Sequence, residues 1–488
     1  MKIKDLLPIE EITDASVGLD TEISRISTTP SDGGDGCALF LLKNEYRELG
    51  DLYASFSAII CGAEATLPSG ISAPVIRVRS VRRAWALAES GIRNIDYGSL
   101  RFVGVTGTNG KTTTASLIKE ILKDSGEKVG FIGTGKITVD DEIISPVNHS
   151  MTTPDPPLLY ESIKAMQNAG CTAVVMEVSS HALFYEKVAA IPFEIALFTN
   201  LSEEHLDFHR NMTEYLECKL KLLSLSKSAI FNIDDHYFRN ASEKCKIPKV
   251  TVGILWRGDV YATDVHKNGS GEYEYIYRTE NYGFIAKTRL IGKFNVYNSL
   301  LALSGAIALG VAPYRAKESL ARIHAIEGRC ETVADEEVRV VIDYAHTPRA
   351  TESVLAELRD SKGGGRLIVL FGCGGNRYRE KRATTAATIE KYADEIYVTS
   401  DNPRNENPSS IIDDIVKGFS ATAKYTVIES RREAINAAIC EARRGDTVIL
   451  LGKGAERYNI DCDGYHPFDE REVVREAIMK RGANESKS

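Results

Sequence analysis

The chain has 488 residues, of which 43% are hydrophobic and 26% are charged, a composition typical of a globular protein of about three domains at roughly 150 residues each. Its net charge of −8 argues against a nucleic-acid-binding protein. No run approaches the ~18 consecutive apolar residues of a membrane span, and the first residues lack the apolar stretch of a signal peptide, so we expect a cytoplasmic protein without membrane insertion.

Three α/β units are predicted along the chain. Residues 1–98 are expected to form a small α/β domain, with strands at 37–41, 58–61 and 75–78. Residues 99–330 alternate strand and helix patterns, which favours a mostly parallel sheet, with strands at 101–104, 173–178, 195–199 and 229–232. Residues 331–488 are expected to form a Rossmann-like α/β domain, with strands at 338–342, 367–371, 395–399 and 447–451.

A glycine-rich turn follows the strand predicted at 101–104 and precedes a helix predicted over 115–122. This arrangement cradles a nucleotide triphosphate, because glycines let backbone N–H groups approach the phosphates at a helix N-terminus. Lys111 would reach the outer phosphates and Thr112 would place its hydroxyl on Mg²⁺. Val105 stands where the strict P-loop pattern has glycine, so the loop is a variant. The predicted nucleotide-binding residues are Gly107, Thr108, Asn109, Gly110, Lys111, Thr112 and Thr113.

Several polar or glycine residues fall at or near the C-terminal ends of predicted strands. Ligands bind at that edge of open α/β sheets, so we expect a cleft between the second and third units. The residues are Thr106, Glu177, Asn200, Asp343, Gly372, Asp401 and Gly452.

Glu177 and His205 follow two of these strands and could complete a second Mg²⁺ site beside the P-loop, through oxygen and nitrogen ligands. Simpler interpretations stay open for each residue taken singly. Ser179 and Ser180 could cap a helix, His205 could be a core histidine, and Lys219 is a surface lysine on propensity alone.

A series of motifs occurs in one order over roughly residues 100 to 475. It resembles the Mur ligases, the ATP-dependent amino-acid ligases of peptidoglycan synthesis. Three further motifs, Thr152-Thr-Pro-Asp155, Gly372-Cys-Gly-Gly375 and Asp401-Asn-Pro-Arg404, narrow the resemblance to the members that add meso-2,6-diaminopimelate. The series is Thr106-Gly-Thr-Asn-Gly-Lys-Thr112, Met176-Glu-Val-Ser-Ser-His181, Asn200-Leu-x-x-x-His205-Leu-Asp-Phe-His209, Asn232-x-Asp234-Asp235, Phe294-Asn-Val-Tyr-Asn298, Gly328-Arg329 and Asp343-Tyr-Ala-His-Thr-Pro348.

The resemblance implies a reaction and its participants. ATP, with Mg²⁺, would phosphorylate the D-Glu carboxylate of UDP-N-acetylmuramoyl-L-Ala-D-Glu, and the diaminopimelate amine would attack the acyl phosphate. The partners would be these small molecules, with no nucleic acid, and we expect a monomer. The N-terminal unit would bind the UDP-sugar.

The resemblance also assigns roles around the nucleotide. Glu177 and His205 would take the metal with Thr112, and Lys219 aligns with a lysine that is carbamylated in the family, which turns a cation into an anionic oxygen ligand. The four expected catalytic residues are Lys111, Glu177, His205 and Lys219. Residues implied to contact the nucleotide are Asn295 at the adenine, Arg329 and Asp343 at the triphosphate and ribose, and His346 from the third domain.

Two substrate sites follow from the resemblance. For the carrier they are Thr152, Thr153, Ser179, Tyr185 and Lys187, the last two standing where the family often has Gln and Arg. For the amino acid they are Arg377, Asp401, Asn402, Pro403, Arg404, Gly452 and Glu456. An arginine can grip the far carboxylate of diaminopimelate bidentately, and Arg404 with Arg377 fits that role, while Glu456 and the Gly452 backbone would hold the far ammonium. The alternative is that Asp401-Asn-Pro-Arg404 is an ordinary turn, since Asn-Pro favours one.

Some positions depart from the family pattern. Thr29-Pro30-Ser31 stands in place of an Asp-Ser-Arg sequence, and Ala455 replaces a histidine. The alternative function is therefore a relative that ligates an amino acid to another carboxylate carrier. A non-catalytic descendant is disfavoured by the intact set of expected catalytic residues, and a folylpolyglutamate synthetase would not be expected to carry Asp401-Asn-Pro-Arg404.

Overall fold

The N-terminal part of the computed structural model is a five-stranded sheet with two helices. The structure describes residues 1–488 except 16–17, 44–54, 69–70, 146–150, 207, 270, 362–363 and 486–488. Among the described residues the sheet order is β1-β5-β4-β3-β2, parallel except for β1. The elements are α1 (Ile3–Leu6), β1 (Ile12–Asp14), β2 (Arg25–Ser27), β3 (Gly34–Phe40), β4 (Phe56–Gly62), β5 (Val75–Val78) and α2 (Val81–Ile92).

The central part is one large sheet with helices on both faces. Over the described residues its order is β16-β15-β14-β13-β12-β11-β6-β10-β7-β8-β9. The stretch from β14 to β7 is parallel, and antiparallel strands extend it at both ends. The elements are β6 (Arg101–Thr106), α3 (Lys111–Asp124), β7 (Val129–Gly133), β8 (Lys136–Val139), β9 (Glu142–Ser145), α4 (Pro156–Asn168), β10 (Ala173–Glu177), α5 (Ser180–Phe184), β11 (Phe193–Phe198), α6 (Met212–Leu220), β12 (Ser226–Asn232), α7 (His236–Lys244), β13 (Lys249–Gly253), β14 (Val260–Lys267), β15 (Tyr273–Arg278), β16 (Gly283–Thr288), α8 (Phe294–Ala308) and α9 (Pro313–Arg322).

The central strands are apolar on both faces because helices cover both sides of the sheet. On one face, α3 and α8 pack on each other in the same core cluster as Val103 and Val105 of β6. On the other face, Phe102 of β6 belongs to a second cluster that includes residues of α4 and α6. The C-terminal end of β6 is thus held rigidly from both sides, which fixes the loop that leads into α3.

The C-terminal part is a six-stranded sheet of order β17-β18-β22-β19-β20-β21 over the described residues, parallel except for β17. A separate hairpin, β23-β24, precedes the last helix. The elements are β17 (Glu331–Asp335), β18 (Arg339–Asp343), α10 (Pro348–Ser361), β19 (Leu367–Phe371), α11 (Glu380–Glu390), β20 (Glu395–Val398), α12 (Pro408–Val416), β21 (Tyr425–Val427), α13 (Arg431–Glu441), β22 (Thr447–Leu451), β23 (Tyr458–Asp461), β24 (Gly464–Pro467) and α14 (Glu470–Glu485).

The predicted α/β class with mostly parallel sheets is confirmed, and every predicted strand coincides with an observed one to within a few residues. The antiparallel strands β8, β9, β15, β16, β23 and β24 were not predicted. They are short and only partly buried, so they lack the continuous apolar run that marks a central strand. Within the described part of the chain, no helix combines the length and apolarity that a membrane crossing requires.

Candidate active site

The P-loop leads from β6 into α3 with the backbone geometry that a phosphate cradle needs. Gly107 has φ +145° and Gly110 has φ +83°, where side chains are disfavoured. A Cβ at Gly107 would lie 1.9 Å from Thr199 Oγ1. Lys111 Nζ donates to the carbonyl oxygens of Gly107 and Thr108 at 3.0 and 2.8 Å, and burial lowers the pKa of Lys111.

The segment after β11 holds this loop in place. Thr108 N donates to Asn200 O at 2.7 Å, and Asn109 exchanges two hydrogen bonds with the Asn200 side chain, at 3.1 and 3.0 Å. Thr199 Oγ1 donates to Asn109 O at 2.6 Å. The P-loop is therefore organised by the protein itself and does not need a ligand to order it.

Glu177 and Thr112 lie side by side at the start of α3. Glu177 is fully buried at the end of β10. Its carboxylate accepts from Thr112 Oγ1 at 2.9 Å and from Thr134 N at 2.8 Å. The two oxygen donors that the sequence assigns to Mg²⁺ are thus adjacent, and a hydroxyl with a carboxylate is a ligand set suited to a hard cation.

His205 follows β11 and has an unusual backbone conformation, with φ +56°. Its ring is 4.9 Å from the ring of His181. Desolvation, together with the charges of His181, Lys111 and Lys219, lowers the pKa of His205 to about 3 in spite of Glu204. A neutral imidazole is the form that binds metals, so the environment suits the predicted ligand role.

Glu204 is a buried carboxylate of this site that sequence reasoning missed. Its oxygens lie 4.0 Å from His205 Nε2 and 3.4 Å from His346 Nε2. Burial alone would raise the pKa of Glu204, but the hydrogen bond from His346 and the neighbouring positive charges hold it well below its usual range. The same contact raises the pKa of His346 against the desolvation that would lower it. The signal that could have identified Glu204 in the sequence was its position directly before His205.

Lys219 is 1% exposed on α6 and donates to Gly107 O at 2.9 Å. Its Nζ lies 4.6 Å from the centre of the Tyr215 ring. Burial and the positive charge of Lys111 lower the pKa of Lys219 well below that of an ordinary lysine. The structure therefore excludes the surface-lysine interpretation and places a readily neutralised amine against the P-loop.

The C-terminal domain reaches the P-loop through the linker before β17. Arg329 Nη2 donates to Thr112 Oγ1 at 2.7 Å, and its guanidinium lies 4.4 Å from the Tyr344 ring centre. Asp343 is buried and accepts from Cys330 N and Ala345 N, each at 2.7 Å. Burial raises the pKa of Asp343. Its carboxylate thus joins the linker to the end of β18.

Asn295 lies in the first turn of α8, close to the P-loop. Its Nδ2 donates to Ile291 O at 2.8 Å and its Oδ1 accepts from Asn298 Nδ2 at 2.8 Å. Asn298 in turn accepts from Thr114 Oγ1 at 3.4 Å. The amide of Asn295 is thus fixed by protein groups at the nucleotide end of the site, next to helix α3.

The residues predicted to contact the carrier surround the end of β10. Thr153 Oγ1 donates to Glu177 O at 2.9 Å and accepts from Ser179 N at 3.1 Å. Thr152 Oγ1 lies 3.1 Å from the hydroxyl oxygen of Thr134. Ser179 Oγ accepts from Ala182 N at 3.1 Å, so Ser179 caps α5, as the simpler interpretation allowed.

Lys187 and Tyr185 follow α5 and extend this surface. Lys187 is 9% exposed, and its Nζ lies 2.7 Å from Asp155 Oδ1. The guanidinium of Arg82 lies 4.2 Å from the centre of the Tyr185 ring, and this contact links the N-terminal domain to the central one. Ser80 hydrogen-bonds Glu186 at the same junction.

The predicted amino-acid pocket occupies the C-terminal ends of β19, β20 and β22. Arg404 Nη1 donates to Gly375 O at 2.9 Å, and burial and the charge of Arg377 lower the pKa of Arg404. Arg377 is exposed. Gly452 has φ +111°, and a Cβ there would lie 2.5 Å from Asp401 Oδ2. Two arginines of like charge at one pocket favour an anionic ligand.

Asn402 organises the opposite side of the pocket. Its Nδ2 donates to Glu456 Oε2 at 2.8 Å, and its Oδ1 accepts from Lys453 Nζ at 2.8 Å. Burial and Asp401 raise the pKa of Glu456. Lys453 is fully buried and was not predicted, although it stands between Gly452 and Glu456, which were. Pro403 is buried beside these groups.

Tyr344 connects the two halves of the site and was also missed. Its ring contacts Arg329, and burial and the charge of Glu456 raise the pKa of its hydroxyl. It follows Asp343 directly in the Asp-Tyr-Ala-His motif. Tyr344 therefore lies between the P-loop groups and the amino-acid pocket.

Comparisons with known proteins match both halves of the site. Residues 105–306 match the family model of the Mur ligase middle domain, and residues 328–454 match that of the Mur ligase glutamate ligase domain. The chain is 38% identical to the UDP-N-acetylmuramoyl-L-alanyl-D-glutamate--2,6-diaminopimelate ligase of Syntrophomonas wolfei, covering 98% of this chain and 99% of the relative.

Two solved structures illustrate the structural similarity. One, of a UDP-N-acetylmuramoyl-L-alanyl-D-glutamate--2,6-diaminopimelate ligase, has a TM-score of 0.67 and 26% identity over 99% of each chain. The other, the MurF ligase from Thermotoga maritima in complex with ADP, has a TM-score of 0.60 and 18% identity over 94% of this chain and 98% of that one, and shares the fold.

Proposed function

The chain belongs to the Mur ligase family, and from this we propose that it is the ATP-dependent ligase that joins meso-2,6-diaminopimelate to the D-Glu carboxylate of UDP-N-acetylmuramoyl-L-Ala-D-Glu. It would act in cytoplasmic peptidoglycan precursor synthesis. The observation that carries the proposal is the pairing of two sites in one chain. A preformed P-loop with Glu177 and Lys219 lies in the central domain, and a pocket with Arg404 and Glu456 lies in the C-terminal domain.

ATP would bind along the P-loop, where Lys111 and the N-terminus of α3 face the phosphates. Thr112 and Glu177, whose side-chain oxygens lie 2.9 Å apart, would hold Mg²⁺ together with His205, whose neutral imidazole is the form that binds metals. Bound Mg²⁺ would neutralise charge on the phosphate oxygens. A carbamate on Lys219 would supply a further anionic oxygen, and the lowered pKa of Lys219 supports it, since only the neutral amine reacts with CO₂.

The proposed reaction has two transfers. The D-Glu carboxylate oxygen attacks the γ-phosphorus of ATP, the bond to ADP breaks, and an acyl phosphate forms. The neutral amine of diaminopimelate then attacks the acyl carbon, the C–O bond to phosphate breaks, and the amine proton is lost to give an amide. Closing the cleft around the acyl phosphate would exclude water, which would otherwise hydrolyse it.

The C-terminal pocket would select diaminopimelate by its far end. Arg404, with Arg377 behind it, would bind the far carboxylate, and lysine has no such group. Glu456 and the Gly452 backbone would hold the far ammonium. Arg404 is held in place by Gly375 O at 2.9 Å, which leaves the other edge of its guanidinium for a ligand.

The test is phosphate release by the purified protein with ATP, Mg²⁺ and UDP-N-acetylmuramoyl-L-Ala-D-Glu, comparing meso-diaminopimelate with L-lysine. We expect release that depends on diaminopimelate, and no release from a Lys111→Ala variant. Release with L-lysine at an equal rate would contradict the specificity, and no release with either amino acid would contradict the carrier.

A second candidate keeps the chemistry and changes the carrier. The N-terminal segment at Thr29–Ser31 differs from the family pattern, and there the guanidinium of Arg25 donates to the backbone oxygens of Asp32 and Gly33, at 3.1 Å each. An arginine committed to its own loop is less available to a uridine nucleotide. This candidate predicts ATP-dependent ligation to another carboxylate with UDP-N-acetylmuramoyl-L-Ala-D-Glu ignored.

A further inference from the structure

Two loops of the C-terminal domain carry the arginines of the proposed amino-acid pocket. The first follows β19 and includes Gly375 and Arg377, and the second follows β20 and includes Arg404. Gly375 N donates to Asn402 O at 2.9 Å, and Arg404 Nη1 donates back to Gly375 O at 2.9 Å. A Cβ at Gly375 would lie 1.8 Å from Pro403 O. The loops therefore touch, and a shift of one must move the other.

Both loops hold non-glycine residues in the left-handed backbone region. Asn376 and Arg404 each have φ +54°, in a region that is uncommon for residues with side chains, although Asn enters it more readily than most. The contacts that hold this conformation here are the hydrogen bonds between the loops and a set of charged groups behind them.

Arg382 is the centre of that charged set. It stands in the first turn of α11 and is 2% exposed. Nη2 donates to Glu406 Oε1 at 2.9 Å and to Gly374 O at 3.4 Å, while Nη1 donates to Asp414 Oδ2 at 3.1 Å. Glu406 also accepts from Asn376 N. One buried cation thus contacts the first loop at its backbone and the second loop through a carboxylate.

Removing this cation has a defined consequence. Glu406 would lose its ion pair with Arg382, whereas Asp414 would keep Arg379 and Lys417, each at 2.8 Å. Glu406 would turn toward solvent and release Asn376 N. The direct hydrogen bonds of Gly375 with Asn402 and Arg404 would remain, but the 374–376 segment would lose its contacts with Arg382 and Glu406, so we expect the spacing of Arg377 and Arg404 to loosen.

We propose that Arg382 is a positioning residue for amino-acid specificity, acting by clamping the loops of Arg377 and Arg404 in the spacing that grips the far carboxylate. The proposal rests on the proposed function, since it assumes that these loops form the amino-acid pocket. Arg382 would act through Glu406 and the backbone of Gly374.

The test compares Arg382→Gln and Arg382→Lys with Arg366→Gln as the matched control. Arg366 stands at the opposite end of β19 and also pairs with two carboxylates, Asp446 at 2.8 Å and Glu395 at 2.6 Å. We expect Arg382→Gln to raise the KM for meso-diaminopimelate roughly ten- to hundredfold, since a displacement of about 1 Å in a positioning group can cost that much. The KM for ATP should stay within about twofold. Arg382→Lys should recover part of the loss, because a lysine can still neutralise one carboxylate. Arg366→Gln should lower the melting temperature without changing the KM for diaminopimelate.

Amide hydrogen exchange gives a readout that needs no substrate. Arg382→Gln should speed exchange over 374–377 and 401–406, and Arg366→Gln should not. If wild-type protein uses no diaminopimelate, the proposed function fails, and the exchange result still decides whether Arg382 clamps the loops. If Arg382→Gln does not fold, Glu406→Gln replaces it, since it leaves the pair of Arg382 with Asp414 intact. Unchanged exchange, or an equal rise in the KM values for ATP and diaminopimelate, overturns the proposal.

Discussion

At the scale of single residues, the two lysines at the P-loop differ in how strongly their surroundings disfavour a positive charge. Lys111 and Lys219 both donate to Gly107 O, at 3.0 and 2.9 Å. Two ammonium groups on one carbonyl repel each other, and the pKa of Lys219 is lowered the more strongly. In the described part of the chain no ion pair joins Lys219 to a carboxylate, and the charge of Glu204 only partly offsets the cost of burying a positive charge there. Carbamylation would remove that charge.

The first prediction concerns Lys219 and its neighbour Lys221. Lys219→Ala should abolish ligation, because an anionic ligand would be lost, while ADP binding by calorimetry stays measurable. Acetate or formate should restore part of the rate by filling the vacated space. Lys221→Ala, an exposed lysine two residues along, should keep the wild-type rate. A near-native rate for Lys219→Ala would rule out the carbamate.

The second prediction concerns Arg404. Arg404→Ala should raise the KM for meso-diaminopimelate by roughly ten- to hundredfold, since hydrogen bonds to charged groups contribute about 1.5–3 kcal/mol, with the KM for ATP unchanged. Arg432→Ala is the control, because Arg432 is an exposed arginine of the same domain that pairs with Glu476 at 2.6 Å. Initial rates measured over a range of concentrations of each substrate test this prediction. An unaltered KM for the amino acid would mean that Arg404 is not part of the pocket.

At the scale of elements, the P-loop depends on the unit formed by β6, the turn and α3. A third prediction tests that unit. Gly107→Ala should abolish ADP binding and lower the melting temperature, because its Cβ would lie 1.9 Å from Thr199 Oγ1 and 3.0 Å from Asn200 O. Gly126→Ala is the control, since Gly126 has φ +100° just beyond the end of α3 but no atom within 4 Å of an added Cβ.

Gly126→Ala should therefore show only backbone strain, on the order of 1 kcal/mol, with ADP affinity unchanged by calorimetry. Equal loss of ADP binding in both variants would mean that general backbone strain, and not the contact with Thr199, determines the conformation of the loop.

The same elements show how far the sequence determines the fold. The bounds of β19 and β22 were predicted to the residue, because both are apolar on each face in a helix-covered sheet. The β15 strand was missed although its residues alternate between buried and partly exposed, a pattern that itself indicates a half-buried strand. The partners of individual side chains were harder still to predict from the sequence. Asp343 accepts two backbone N–H groups, and Glu204 contacts His346 of another domain. These contacts depend on how segments pack in the folded chain, which the sequence pattern does not show.

At the scale of the whole molecule, the domains meet through apolar packing, as where Ile291 and Phe294 pack against the C-terminal core, and through polar contacts near the proposed sites. Arg329 donates a hydrogen bond to Thr112, His346 pairs with Glu204, and the guanidinium of Arg82 lies over the ring of Tyr185. These side chains belong to or border the proposed nucleotide and carrier sites. A change in the angle between domains would therefore alter the groups that face the substrates, which suits a ligase that closes around a reactive intermediate.

The last prediction concerns Glu327, in the linker between α9 and β17. Its carboxylate lies 3.0 Å from Lys136 of the central domain and 2.9 Å from Arg457 of the C-terminal domain. These ion pairs are partly exposed, so together they should contribute only about 1 kcal/mol, but that contribution favours one arrangement of the domains. Glu327→Gln should raise the KM for ATP by about fivefold, the ratio that corresponds to ~1 kcal/mol. The kcat at saturation should be unchanged, because bound substrates then supply the closing contacts.

Small-angle scattering without ligand should show a larger radius of gyration for Glu327→Gln than for the wild type, and the difference should shrink with ATP and the carrier. Glu194→Gln is the control, because Glu194 pairs with Lys227 at 2.7 Å within the central domain. Glu327→Gln removes two partly exposed ion pairs and Glu194→Gln removes one, so both should change the melting temperature little. If Glu194→Gln raises the KM for ATP as much, or if the radius of Glu327→Gln equals that of the wild type, the linker carboxylate has no part in orienting the domains. Adding salt to the wild type should reproduce part of the Glu327→Gln effect, since screening weakens pairs that are open to solvent.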